Sequence, residues 1–341
     1  MGRNKAGRDE RAGLWSRGSE QTPTVPVEIQ GLLKRFREGD RVALSRVISL
    51  VENGHPSSPL VLDTLYPHTG RALRVGVTGP PGAGKSTLVD HLAAQMRADS
   101  QTVGIVAVDP TSPFSGGALL GDRVRMSSVN LDEGVFIRSM ASRGSPGGLA
   151  WKTLEVCEVL DAFGVDRIIV ETVGVGQGEL DIAEEAHSTV VVLVPESGNS
   201  VQAMKAGLME IGDIFVINKS DRESADVAKR MVDSALELKP VKNGWRPPVL
   251  STVALEGKGV EELHRKIEEH LRLLVTSGSL QQRRTECVRA KIVEILRNRI
   301  IEFAWEHNKL TRLIDAEVVS VMAGGSTPYK SAESLLRGMG Q

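Results

Sequence analysis

The stretch Gly79-Pro80-Pro81-Gly82-Ala83-Gly84-Lys85-Ser86 decides how this chain is read. It follows a short apolar run, Leu73 to Thr78, and leads into residues of helical spacing, Ser86 to Met96. Glycines in such a turn let backbone N–H groups face inward around phosphate oxygens. The helix that follows turns its positive N-terminal end toward the same anion. The pattern predicts a P-loop cradled by Gly79, Gly82, Ala83 and Gly84. Lys85 is expected to reach the β- and γ-phosphates, Ser86 to ligate Mg²⁺ through its hydroxyl, and Thr87 to lie near the α-phosphate.

Outward from the loop, strand and helix patterns alternate. Buried-strand runs are expected at Val103 to Val108, Arg167 to Val170, Thr189 to Val194, Ile214 to Ile217 and Val249 to Ser251. Helical spacing is expected at Leu149 to Phe163, Val201 to Glu210, Ala225 to Leu238 and Val260 to Leu274. The alternation predicts an α/β fold, a P-loop NTPase three-layer sandwich with a mostly parallel sheet. Functional loops then belong at the carboxyl ends of the strands.

Asn218-Lys219-Ser220-Asp221 follows one such strand and matches the N-K-x-D pattern of guanine readers. Asp221 can accept from N1–H and the exocyclic amine of guanine, a donor pair that adenine lacks. Asn218 is expected to bond the base and brace the P-loop, and the Lys219 stem to cover the base. Ser251 and Val253, in Ser251-Thr252-Val253-Ala254, are candidates for the last base contact, although the usual Ser-Ala pair is not reproduced. GTP and GDP are the expected nucleotides.

Between these motifs lies Glu171-Thr172-Val173-Gly174, where most GTPases carry Asp-x-x-Gly. Glu171 still offers a carboxylate to Mg²⁺, and the Gly174 amide is placed to sense the γ-phosphate. Val175 stands where Ras-type GTPases have a water-orienting glutamine, so intrinsic hydrolysis should be slow and accelerated by a partner. The glycine-rich segment Val108 to Arg123 adds two more candidate Mg²⁺-side carboxylates, Asp109 and Asp122. Asp109 and Asp122 can equally be turn-forming residues of a solvated loop.

The flanks read differently. Residues 1–26 are polar, basic and interrupted by acids, which predicts a disordered cytoplasmic tail rather than a targeting peptide. Residues 27–66 read as a helical extension, with a hairpin from Ile29 to Val51 broken near Gly39-Asp40 and a loop at His55 to Pro59. The core domain spans 67–276. Residues 277–341 form a helical arm that opens with a long amphipathic helix, Gln281 to His307, whose apolar stripe runs through Val288, Ile292, Ile295, Leu296, Ile300 and Phe303. That stripe can pack on its own subunit or on a partner.

Bulk properties exclude several classes. The 341 residues carry a formal net charge of −1, so no global field points to nucleic acid or to an anionic membrane. No run of about 18 apolar residues suggests a span. The two cysteines, Cys157 and Cys287, and the seven histidines show no metal-ligand spacing.

Together the motifs resemble a known family. Val108-Asp109-Pro110-Thr111-Ser112-Pro113-Phe114-Ser115-Gly116-Gly117-Ala118-Leu119-Leu120-Gly121-Asp122-Arg123, Arg138-Ser139-Met140-Ala141-Ser142-Arg143-Gly144 and Glu171 to Gln177 are similar to signatures of the MeaB/ArgK P-loop GTPases. The resemblance runs from about Ile29 to the C-terminus and includes the unusual Glu171. It implies a G-protein chaperone that gates adenosylcobalamin loading into an acyl-CoA mutase, chiefly methylmalonyl-CoA mutase. It implies that Ser86, Asp109, Asp122 and Glu171 surround Mg²⁺ and that Lys85, Asp122 and Glu171 form the catalytic set. It also implies a homodimer joined through the C-terminal arm, and a mobile segment, Pro195 to Gly207, that relays nucleotide state. Asn199 and Pro146 depart from the family pattern. A nickel-insertion GTPase and an ATP-dependent kinase or transport ATPase are the alternatives. The first needs a Cys/His site, and Asp221 argues against the second.

Overall fold

Six residues, Leu73–Thr78, form the central strand β1 and feed the glycine loop. In the computed structural model the described residues are 25–109, 129, 131–141, 148–172, 186–195, 207–241, 244–307 and 310–339. They divide into two compact units, Met1–Leu273 and Leu274–Gln341.

In the first unit the remaining strands are β2 (Val103–Asp109), β3 (Val135–Ala141), β4 (Arg167–Glu171), β5 (Ser188–Leu193), β6 (Ile214–Asn218) and β7 (Val249–Thr252). They build a seven-stranded sheet in the order β3-β2-β4-β1-β5-β6-β7. Every pairing is parallel, with Val77 opposite Glu171 and Asn218 opposite Thr252. Such strands are buried on both faces, which explains their nearly continuous Val and Ile runs. The sheet agrees with the expected three-layer sandwich.

One face packs on α4 (Lys85–Ala98) and on α8 (Val260–Thr276), through Leu88, Leu92, Met96, Leu263, Ile267 and Leu271. The other face packs on α5 (Gly148–Phe163) and on the N-terminal helices α1 (Val27–Arg37), α2 (Arg41–Glu52) and α3 (Ser58–Leu65). Also on the face opposite α4, the short α6 (Leu208–Ile211) and α7 (Ala225–Glu237) cover β5, β6 and β7.

The N-terminal hairpin breaks where expected. Asp40 caps α2, accepting from the Val42 and Ala43 amides at 2.8 and 3.1 Å. Phe36 reaches across to Phe163 of α5 in an edge-to-face contact of 5.1 Å. The loop expected at His55 to Pro59 ends earlier, because α3 already begins at Ser58 with a proline in its first turn, a position where the missing N–H costs nothing.

Strand β3 is an element the sequence pattern did not signal. It lies at the sheet edge, and its half-buried Phe136, Arg138 and Ser139 interrupt the apolar run. The Arg138 guanidinium is bonded to Glu52, which ties the strand to α2. Of the helix expected at Val201 to Glu210, Leu208–Ile211 is helical, and 201–206 lie outside the described residues.

The second unit contains α9 (Ser279–His307), α10 (Leu310–Met322) and α11 (Pro328–Met339). The buried Ser331 hydroxyl donates to Glu317 at 2.5 Å and joins α11 to α10. On α9 the expected stripe is exposed, from 40% at Val288 to 65% at Ile300. The Phe303 side chain and the N-terminal tail through residue 24 lie outside the described residues.

Candidate functional site

Strands β1, β4 and β6 end at one edge of the sheet, and their last residues meet the glycine loop there. Gly79 leaves β1 with φ 140°, and a Cβ at this position would lie 2.0 Å from the Val192 carbonyl oxygen of β5. Only glycine lets the loop press so closely on the neighbouring strand. Gly84 is left-handed, with φ 89°, and its Cβ would lie 2.4 Å from the Asn218 amide nitrogen. It stands immediately before the first turn of α4, whose free amides are the anion-binding end of the helix.

Lys85 is buried, and its ammonium donates to the Gly79 and Pro80 carbonyls at 2.8 and 3.1 Å. These bonds hold the charge across the mouth of the loop. The Ser86 hydroxyl donates to Glu171 Oε1 at 2.6 Å. A hydroxyl and a carboxylate, both hard oxygen donors, therefore converge beside the phosphate cradle, which suits Mg²⁺. The longer Glu171 side chain reaches Ser86 directly from the end of β4.

Thr172 continues β4 by one residue, its amide donating to the Val77 carbonyl at 3.0 Å. Its hydroxyl donates to the Thr78 hydroxyl, also at 3.0 Å. Asp109 ends β2, and its side chain lies outside the described residues, as do Asp122, Gly174, Val175 and Gln177. Among the described residues no group of three or more His, Cys, Asp or Glu side chains gathers as a metal site.

Asn218 braces three segments at once. Its carboxamide N–H donates to the Ala83 carbonyl at 2.8 Å, while its oxygen accepts from the Thr252 hydroxyl and the Ala254 amide, each at 3.0 Å. The base-reading turn is thereby clamped to the P-loop and to the segment after β7. Lys219 adopts a left-handed φ of 57°, and the Ser220 amide donates to the Thr252 carbonyl at 3.0 Å. This turn carries Asp221 to the rim.

A cavity of about 580 Å³ connects these groups. Gly82, Gly84, Lys85, Ser86, Thr87, Glu171, Asn218, Lys219, Asp221 and Val253 line it. Gly79 and Ala83 stand behind the lining as backbone, and Ser251 is an exposed strand residue that does not reach the cavity. The volume is that of an ordinary small-molecule site.

The lining also includes Ala254, the last residue of the segment expected to supply a base contact, and Thr172, Arg222, Leu255 and Glu256, which were not expected from the sequence. No short motif marks these four as site residues. Behind them Lys258 lies 2.5 Å from Glu256, a hydrogen bond that raises the ammonium above its ordinary value, with a smaller contribution from the Asp221 charge.

Comparisons with known proteins point in one direction. The family model described as "Methylmalonyl Co-A mutase-associated GTPase MeaB" matches residues 44–309. A Pyrococcus horikoshii protein described as a GTPase is 51% identical over 271 residues, spanning 79% of this chain and 86% of its own. A Caenorhabditis elegans protein described as "Methylmalonic aciduria type A homolog, mitochondrial" is 30% identical over 328 residues, spanning 91% of this chain and 82% of its own. Among solved structures, one described as an LAO/AO transport system kinase aligns with a TM-score of 0.71 and 28% identity, over 94% of this chain and 100% of that one.

Proposed function

Since the chain belongs to the MeaB family of methylmalonyl-CoA mutase-associated GTPases, we propose that its GTP cycle gates adenosylcobalamin loading into an acyl-CoA mutase of the methylmalonyl-CoA type and protects or reactivates that mutase. The chain itself is a P-loop GTPase, as its relatives are.

In this reading the nucleotide phosphates occupy the glycine loop, with Lys85 on the β- and γ-phosphates and the α4 amides behind them. Ser86 and Glu171 hold the Mg²⁺ side, joined by Asp109 and Asp122 from the following segments. Mg²⁺, held there by these oxygen ligands, would supply positive charge that offsets the phosphate charge. Asp221 reads the guanine edge, Asn218 keeps that reader in register with the P-loop, and the Lys219 stem covers the base. Lys85 and the loop amides stabilise charge as it develops on the transferred phosphoryl group. Val175, in place of a water-orienting glutamine, makes the unassisted rate slow, so the partner supplies part of the catalysis.

Family membership carries the mutase reading, because the matched model spans the GTPase core and the whole of the long C-terminal helix. A second copy of the chain is the natural cover for the apolar stripe on α9, which makes a homodimer the working assembly. No helix among the described residues is long and apolar enough to cross a membrane. A cytoplasmic protein working on a soluble mutase follows from the same reading.

Pull-down with methylmalonyl-CoA mutase, with GDP and with a non-hydrolysable GTP analogue, tests it. Nucleotide-dependent association is expected. No association with this or a related mutase in either state would remove the chaperone role while leaving the GTPase intact.

A further inference from the structure

Two consecutive residues at the end of β4 reach opposite ends of the P-loop. Glu171 meets Ser86, the last residue of the loop, and Thr172 meets Thr78, the residue immediately before its first glycine. Both threonines are buried, Thr172 at 3% exposure and Thr78 at 0%. A buried hydroxyl without a partner costs free energy, and valine has nearly the same shape, so packing alone does not call for threonine at either position. On the other side of the entry, Gly79 presses on the Val192 carbonyl of β5. The loop entry is thus held between β5 and Thr172, and its exit by Glu171.

We propose that Thr172 is a positioning residue of the GTPase site: its hydroxyl, bonded to Thr78, holds the P-loop entry in the register at which Ser86 and Glu171 converge on the metal side. The backbone bond from the Thr172 amide to Val77 fixes spacing along the strand. The hydroxyl adds a second point, off the strand axis, that resists rotation of the loop about its entry. Small displacements matter here, because an error of about 1 Å in placing reacting groups can cost about a hundredfold in rate. The inference rests on placing Mg²⁺ at Ser86 and Glu171.

The test is release of a fluorescent GDP analogue from the full-length protein as Mg²⁺ is titrated, followed by steady-state GTP hydrolysis over the same range. Thr172→Val should raise the Mg²⁺ concentration that half-slows release by about fivefold to tenfold, the scale of one lost buried hydrogen bond. Thr78→Val should do the same. The double variant should be no worse than either single one, because both act through one bond. Thr172→Ser, which keeps the hydroxyl, should stay within about twofold of the parent.

A purely structural role would lower the unfolding temperature without moving the Mg²⁺ dependence, and that result would overturn the proposal. So would Thr172→Ser failing as Thr172→Val does. Ser86→Ala is the control on the premise. If it raises the Mg²⁺ requirement while Thr172→Val does not, the positioning role falls and the metal placement stands. If Ser86→Ala leaves the requirement unmoved, both fall.

Discussion

Gly84 sits where the phosphate cradle meets the base-reading turn, and two independent constraints act on it. Its backbone is left-handed, and an added Cβ would strike the Asn218 amide that donates to Ala83. Gly84→Ala should therefore weaken GDP binding by at least about tenfold, read by titration with a fluorescent nucleotide, because it strains the loop and dislodges the brace together. Asp221 lines the cavity at its rim. Asp221→Asn should shift preference from guanosine toward xanthosine nucleotides, since an amide can donate to the 2-keto oxygen of xanthine. Competition between GTP and XTP measures this, and unchanged guanine preference would refute the base-site assignment. The residues legible beforehand belong to short motifs whose members lie within a few positions of one another, so spacing reveals them even where their partners in the fold, such as Ser86 for Glu171, are distant. Thr172 and Leu255 have no such local pattern. They reach the cavity only because strands far apart in sequence end at one edge.

At the scale of elements, turns set the ends of the sheet. Asp132, in the turn before β3, accepts from the Arg97 guanidinium of α4 at 3.0 Å and from the Gly134 amide at 2.7 Å. The Arg97 bond first, then the Gly134 bond, hold its carboxyl below the usual carboxylate range. Because the folded-state value is depressed, the stabilisation is fully present above the ordinary range and is lost as pH falls through the depressed value. Asp132→Asn should lower the melting temperature at neutral pH and flatten its decline below about pH 4, where an aspartate begins to titrate. Circular dichroism melts across that range are the measurement. Elements buried on both faces, such as β4 and β6, were legible as apolar runs. Strand β3 was not, since an edge strand tolerates Arg138 and Ser139 in mid-strand. The start of α3 was obscured for a different reason: proline marks both loops and first turns of helices.

At the scale of the whole molecule, α9 leaves more large apolar side chains exposed than any other described helix. If two copies pair through the α9 stripe, as proposed, Ile292→Glu combined with Leu296→Glu should halve the mass seen in sedimentation, with GDP affinity preserved, because buried charge without a partner opposes association. A species of unchanged mass would show that this face does not hold two copies together. The fold class was readable from alternation alone, but the strand order was not, because a parallel sheet can insert a late strand between early ones.

That insertion has a consequence for the chain as it leaves the ribosome. β1 pairs with β4 and β5, and neither is adjacent to it in sequence. The glycine loop is made early, yet its contact from Ser86 to Glu171 spans 85 positions. Until β4 has emerged, β1 has no neighbour, and the nascent loop is a short flexible tether behind an exposed apolar strand. Nucleotide affinity should therefore arise abruptly, once β4 has slotted between β2 and β1 and β6 has delivered Asn218 and Asp221, rather than growing with chain length.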